Sequence, residues 1–147
     1  MYDDILVPTD GSEGTAETLR HALHIAEDND ATIHALFVVD KRIYLAADED
    51  ERESLAEELT ETGEAALAEV SDAAETAGVP VRTELRRGVP YRDILTYAED
   101  ADVDLVVMGT HARTAKDRIT HLGSTTERVV KNSERPVLTV RMPVAED

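Results

Sequence analysis

The sequence predicts an α/β fold: a five-stranded, mainly parallel, Rossmann-like open sheet with helices on both faces, in strand order 3-2-1-4-5. Two observations carry this. Apolar runs of strand length alternate with stretches of helical periodicity, β-α-β-α-β-α-β-α-β, and parallel neighbours need right-handed crossovers, normally helices. The 147 residues, 41% of them hydrophobic, suit one domain spanning 1–147 with a buried core.

Residues 4–7, DILV, read as a buried strand that stops at Pro8. Ala16, Leu19, Ala22, Leu23 and Ala26 recur at helical spacing, so a helix opens near Asp10 to Ser12. Residues 31–39 form the second strand and 40–50 a loop. The longest helix runs from 51 to 77 on a stripe of Leu55, Leu59, Ala66, Val70, Ala73 and Ala77, and Gly78 stops it. VRTELR, 81–86, alternates as a half-buried strand does. Pro90 opens a short helix with Ile94, Leu95 and Ala98 inward. A fourth strand at 104–108, a last helix at 124–132 and a last strand at 136–141 complete the chain.

Charge narrows the function. A net −17 repels nucleic acid phosphates and anionic membrane surfaces, so neither is an expected partner. Only three of the fifteen bases are Lys, an acid-rich, lysine-poor surface that suits a salt-loving (halophilic) organism, with an ordinary acidic mesophile as the alternative. Without cysteine there is no disulfide or thiolate metal site, and no apolar run approaches the roughly 20 residues of a membrane span. A cytoplasmic location is expected.

One region runs against the overall charge. Residues 109–141 hold seven Lys or Arg against three acids, net +4. Within it an apolar run ends at Gly109, a polar loop follows, and Gly123 leads into Ser124, Thr125 and a helical pattern. A loop returning to a helix N-terminus is an anion cradle, because unpaired N–H groups and the positive dipole end collect there. Ligands of such sheets bind beyond the carboxyl ends of the strands, which brings Pro8 to Ser12 beside Gly109 to Ser124. Neither GxxxxGK[ST] nor a GxGxxG after the first strand is present, so a P-loop enzyme or classical dinucleotide binder is not supported.

ILVPTDGS at 5–12, FVVD at 37–40, LVVMGTHARTAKDR at 105–118, and LGSTTERVV with RPVLTVR up to 141 resemble the universal stress protein (UspA-like) family over nearly the whole chain. The resemblance is to the ATP-binding-type subgroup, whose members carry glycine, two residues, glycine, nine residues, then glycine and Ser or Thr. Here that motif is altered: Ala112 stands at the second glycine, and ten residues separate it from Gly123. If the backbone at 112 needs positive φ, alanine costs roughly 1 kcal/mol; if glycine serves only to admit a phosphate, the methyl crowds it.

Carried over by position, the resemblance implies ATP or another adenine nucleotide as ligand, with Mg or Mn accompanying it. Asp10 would meet the ribose and the backbone around Val38 the adenine, with Pro8 and Thr9 lining the base pocket. Gly109, Arg113, Gly123, Ser124 and Thr125 would surround the phosphates, with Ala112 in the missing glycine's place. His111 lies inside the loop, within reach of a phosphate. Met108, simplest read as core at a strand end, is counted with the pocket.

Bland roles compete with these. Asp10 and Glu13, like Ser124 and Glu127, have capping-box spacing, and Ser12 is a rival cap. Loop cations such as Arg113 and Lys116 are ordinarily solvated. His21 and His24 share a helix face without metal-ligand spacing. No residue is an obvious nucleophile or water-activating base, so an enzyme is not the expectation. The first reading is a nucleotide-binding stress-response protein that acts through an unidentified protein client. Its rivals are a nucleotide-free dimeric interaction protein of the same family and a slow ATPase. The family's habit of pairing last strands implies a homodimer through 136–141, an apolar edge that would otherwise invite aggregation.

Overall fold

A computed structural model describes residues 1–12, 14–110 and 123–141. In chain order its elements are β1 (Asp4–Pro8), α1 (Thr15–Asn29), β2 (Thr32–Asp40), α2 (Lys41–Leu45), α3 (Arg52–Thr76), β3 (Val81–Gly88) and α4 (Pro90–Asp100). β4 (Leu105–Thr110), α5 (Ser124–Asn132) and β5 (Val137–Arg141) complete them. The five strands form one sheet in the order β3-β2-β1-β4-β5, and every pair is parallel.

Strand alternation divides the core. Ile5, Val7, Ile33, Ala35 and Val107 point to one face, where Leu19, Ala22 and Ala26 of α1 and Ala66, Leu67, Val70 and Ala74 of α3 cover them. Leu6, Leu36, Val106 and Met108 point to the other, under Ile94, Tyr97 and Ala98 of α4 and Val129 of α5. Both faces are buried, which explains why β1 and β4 read as continuous apolar runs.

The structure revises several local expectations. Lys41–Leu45, expected as loop, form the short helix α2, because the Asp40 carboxylate accepts the Arg42 N–H at 3.0 Å and caps it. Five residues are too few to display a helical period. α1 begins at Thr15, not near Asp10 to Ser12, and its N-cap is Gly14, with no side-chain cap. The buried stripe of α3 is rotated from the expected one and includes Ala56, Gly63, Leu67 and Ala74. Gly63 is the reason: a Cβ there would lie 2.5 Å from Phe37 Cδ1, so only glycine lets α3 approach β2 this closely. Among the described residues, no helix is long and apolar enough to cross a membrane.

Candidate functional site

Strand order reverses between β1 and β4, and a cleft of about 310 Å³ opens over the carboxyl ends of the strands there. That volume is at the low end of the roughly 300–1,000 Å³ typical of small-molecule sites. Its walls are built by helix starts. Thr15 and Thr18 of α1, Pro90 of α4, and Thr125 and Thr126 of α5 all line it, so three helix N-termini border one space.

Ladder geometry exposes one stretch of backbone. Odd-numbered residues of β2 bond to the β3 side, as the Ile33 N–H does to Pro80 O at 2.9 Å. Even-numbered ones face β1, as Leu36 O does in accepting the Thr9 N–H at 2.9 Å. β1 ends at Pro8, opposite Leu36. The next even residue, Val38, therefore turns its N–H and C=O toward the cleft, with no strand beside them.

The β1–α1 turn forms the adjoining wall. Gly11 is held at φ 78°, and its N–H donates to Thr9 Oγ1 at 3.2 Å, while Thr9 and Thr15 hydroxyls lie 3.2 Å apart. Asp10 Oδ1 accepts the Ser12 N–H at 2.9 Å, an Asx turn rather than a helix cap. At the opposite wall, Thr126 Oγ1 donates to Gly109 O at 2.9 Å and ties α5 to the end of β4. Gly123 is the N-cap of α5 at φ 93°, with no side-chain cap, and Ser124 is the first helical residue. The Ser124–Glu127 capping box therefore does not form, since its first member lies inside the helix. Thr110 Oγ1, buried at the end of β4, has no hydrogen-bond partner among the described residues.

Two carboxylates line the cleft, Asp10 and Asp40. Asp40 is clamped by Arg42 at 2.9 and 2.8 Å, and those hydrogen bonds hold its carboxyl below the usual carboxylate range. No Lys or Arg lines the cleft among the described residues. Among them there is also no group of three or more His, Asp or Glu able to hold a metal ion.

Of the residues singled out from sequence, Pro8, Thr9, Asp10, Val38, Met108, Gly109 and Thr125 all line this cleft. Gly123 and Ser124 sit at the adjacent start of α5. His111, Ala112 and Arg113 lie outside the described residues, as do Lys116 and Arg118. Sequence reasoning missed Thr15, Thr18, Leu59 and Thr62, because helix residues facing a cleft carry the same spacing as residues facing a core. It also missed Ile43, which sits on the unforeseen α2.

A model of the universal stress protein family matches residues 1–141. The chain is 42% identical over 147 residues to the universal stress protein MJ0531 of Methanocaldococcus jannaschii, covering 99% of this chain and 86% of that one. It superposes on the structure of MJ0577, from the same organism, with a TM-score of 0.87 at 33% identity, over 99% of both chains. UspA from Lactobacillus plantarum shares the fold with a TM-score of 0.78 at 28% identity, over 95% of this chain and 98% of that one.

Proposed function

Given that the chain belongs to the universal stress protein family, we propose that its cleft binds an adenine nucleotide, ATP foremost. In this reading the protein acts in the cytoplasm as a stress-response regulator working through a partner. The observation that carries it is the pairing, in one cleft, of the unpaired Val38 backbone edge with the N-terminus of α5. A neighbouring N–H and C=O complement the acceptor N1 and the 6-amino donor of adenine. Leu36, Ile94, Pro90 and Met108 offer apolar walls for a flat base. Asp10, which lines the cleft, would meet the ribose. Phosphates would lie over Gly109 and Gly123 to Thr125, where α5 offers unpaired N–H groups. Arg113 and His111, outside the described residues, are further phosphate contacts on the family resemblance.

Calorimetry at molar salt with ATP, ADP and AMP tests this. Saturable binding of at least one is expected, weakened by Asp10→Ala. Heats indistinguishable from dilution for all three would remove the reading.

Ala112 and the ten-residue spacing favour a second reading, a nucleotide-free interaction protein whose loop no longer holds phosphate. On that account an Ala112→Gly variant with one loop residue deleted gains nucleotide binding that the parent lacks; equal behaviour of the two proteins counts against it.

The two sheet edges support a homodimer through β5. β3 carries Arg82, Glu84, Arg86 and Arg87 along its length, whereas β5 is VLTVR with Leu138 38% exposed. Charged edges resist pairing and apolar ones invite it. The Val106 N–H donates to Pro136 O at 3.0 Å, so even-numbered residues of β5 serve β4 and odd ones face outward. Thr139→Pro removes one outward N–H without touching the β4 ladder. Light scattering should give a dimer mass for the parent and a monomer mass for this variant; a monomeric parent would end the proposal.

A further inference from the structure

Across α4 and α5, two exposed arginines meet on one tyrosine. Arg92 Nε donates to the Tyr91 hydroxyl at 3.0 Å, and its guanidinium carbon lies 5.6 Å from the ring centroid. From α5, Arg128 stacks over the same ring at 4.8 Å. Together they hold the Tyr91 phenol below the usual tyrosine range, Arg92 through its hydrogen bond first and Arg128 through its charge.

Among the described residues, no carboxylate forms an ion pair with Arg92 or Arg128. The acids next to them in sequence are turned to other work. Asp93 Oδ2 accepts the Val89 N–H at 3.0 Å, and Glu127 pairs with Lys131 at 3.1 Å. Both arginines are exposed and Tyr91 is half-buried. None of the three lines the cleft, so this surface stands apart from the nucleotide reading.

We propose that Tyr91, Arg92 and Arg128 form a docking surface for an acidic segment of a partner protein, one with carboxylates spaced to reach both guanidiniums. Charge complementarity selects the occupant. Two exposed guanidiniums over one ring, with no carboxylate partner among the described residues, attract such a segment in a chain of net −17. The two charges are spread over two helices, and an extended segment can meet both at once. Exposed Tyr and Arg held on rigid helices are also the residue types that anchor protein interfaces.

Fluorescence anisotropy with a labelled octaglutamate peptide tests the surface on the full chain, at about 0.1 M salt so that screening stays moderate. Saturable binding is expected, weakened about tenfold or more by the double variant Arg92→Ala with Arg128→Ala. Arg20→Ala, an exposed arginine on α1, should leave it unchanged. Both cluster arginines are exposed, and matching circular dichroism melts confirm that the variants fold. Absence of saturable binding, or equal binding by the double variant, overturns the proposal. Displacement of the peptide by equimolar inorganic phosphate also overturns it, in favour of a small-anion site. Loss of a higher oligomer in the double variant overturns it in favour of a second copy of this chain.

Discussion

His34 Nδ1 lies 2.7 Å from the Tyr97 hydroxyl, joining β2 to α4 across 63 residues of sequence, and His34 Nε2 lies 2.8 Å from Asp4 Oδ1. The imidazole is 4% exposed, yet both its nitrogens are satisfied. It sits at the amino end of the sheet, opposite the cleft, where it fastens α4 to two strands.

Tyr97→Phe keeps the ring and leaves His34 Nδ1 without its partner, so a loss of about 1–2 kcal/mol in urea unfolding is expected. An unchanged midpoint would mean that the bond contributes nothing. Burial, reinforced by Glu84, pushes the Tyr97 phenol above its ordinary value, with Arg86 and Arg82 opposing. A raised folded-state value means stability is intact below about pH 10 and declines as pH rises toward the folded value. Unfolding midpoints across that range should show the decline in the parent and a shallower one in Tyr97→Phe.

Gly63→Ala gains about 1 kcal/mol of helix propensity but brings its Cβ to 2.5 Å from Phe37 Cδ1 and 2.9 Å from Leu85 Cδ1. Overpacking at a buried ring costs about 1–3 kcal/mol. We expect net destabilisation in thermal melts, with Phe37 displaced toward the cleft it lines. A more stable variant would show that α3 can move away freely.

Asp40 owes its lowered carboxyl to Arg42, first through the side-chain hydrogen bonds and then through the backbone N–H. A depressed folded-state value means that its contribution is present above about pH 4 and lost as pH falls through the folded value. The Arg42 end is 56% exposed, so solvent screens the pair and its contribution is small. In Arg42→Ala, an NMR titration of Asp40 should move toward the ordinary carboxylate range; no movement would place the cause elsewhere.

At the α5 end of the cleft, Gly123 holds φ 93° with ψ 147°, a conformation side chains rarely adopt. Gly123→Ala should cost about 1–3 kcal/mol. Thr126→Val removes the bond to Gly109 O and should cost about 0.5–1.5 kcal/mol. Both variants should weaken ATP more than adenosine, because the disturbance lies at the start of α5 rather than at Val38. Equal losses for the two ligands would argue against phosphates at this helix.

Much of the fold was legible because burial writes a pattern. β1 and β4 lie between two helical layers and read as unbroken apolar runs, and α5 was found at its observed bounds, Ser124–Asn132. The miss at α2 has the opposite cause: Asp40 caps five residues that bury no side chain. Capping boxes at Asp10 and Ser124 were misread because the spacing was right but the helices begin at Thr15 and at Ser124 itself.

By itself, the sequence determined the strand and helix alternation, the family, and the stretches that meet at the sheet's carboxyl edge, because periodicity and motif spacing are properties of the chain. Tertiary structure alone decided that β1 stops two residues short of pairing with Val38, that α3 closes on Phe37 through Gly63, and that Arg92 and Arg128 converge on Tyr91. Each of these depends on where one element ends against another, and contacts between distant elements leave no period in the sequence to read.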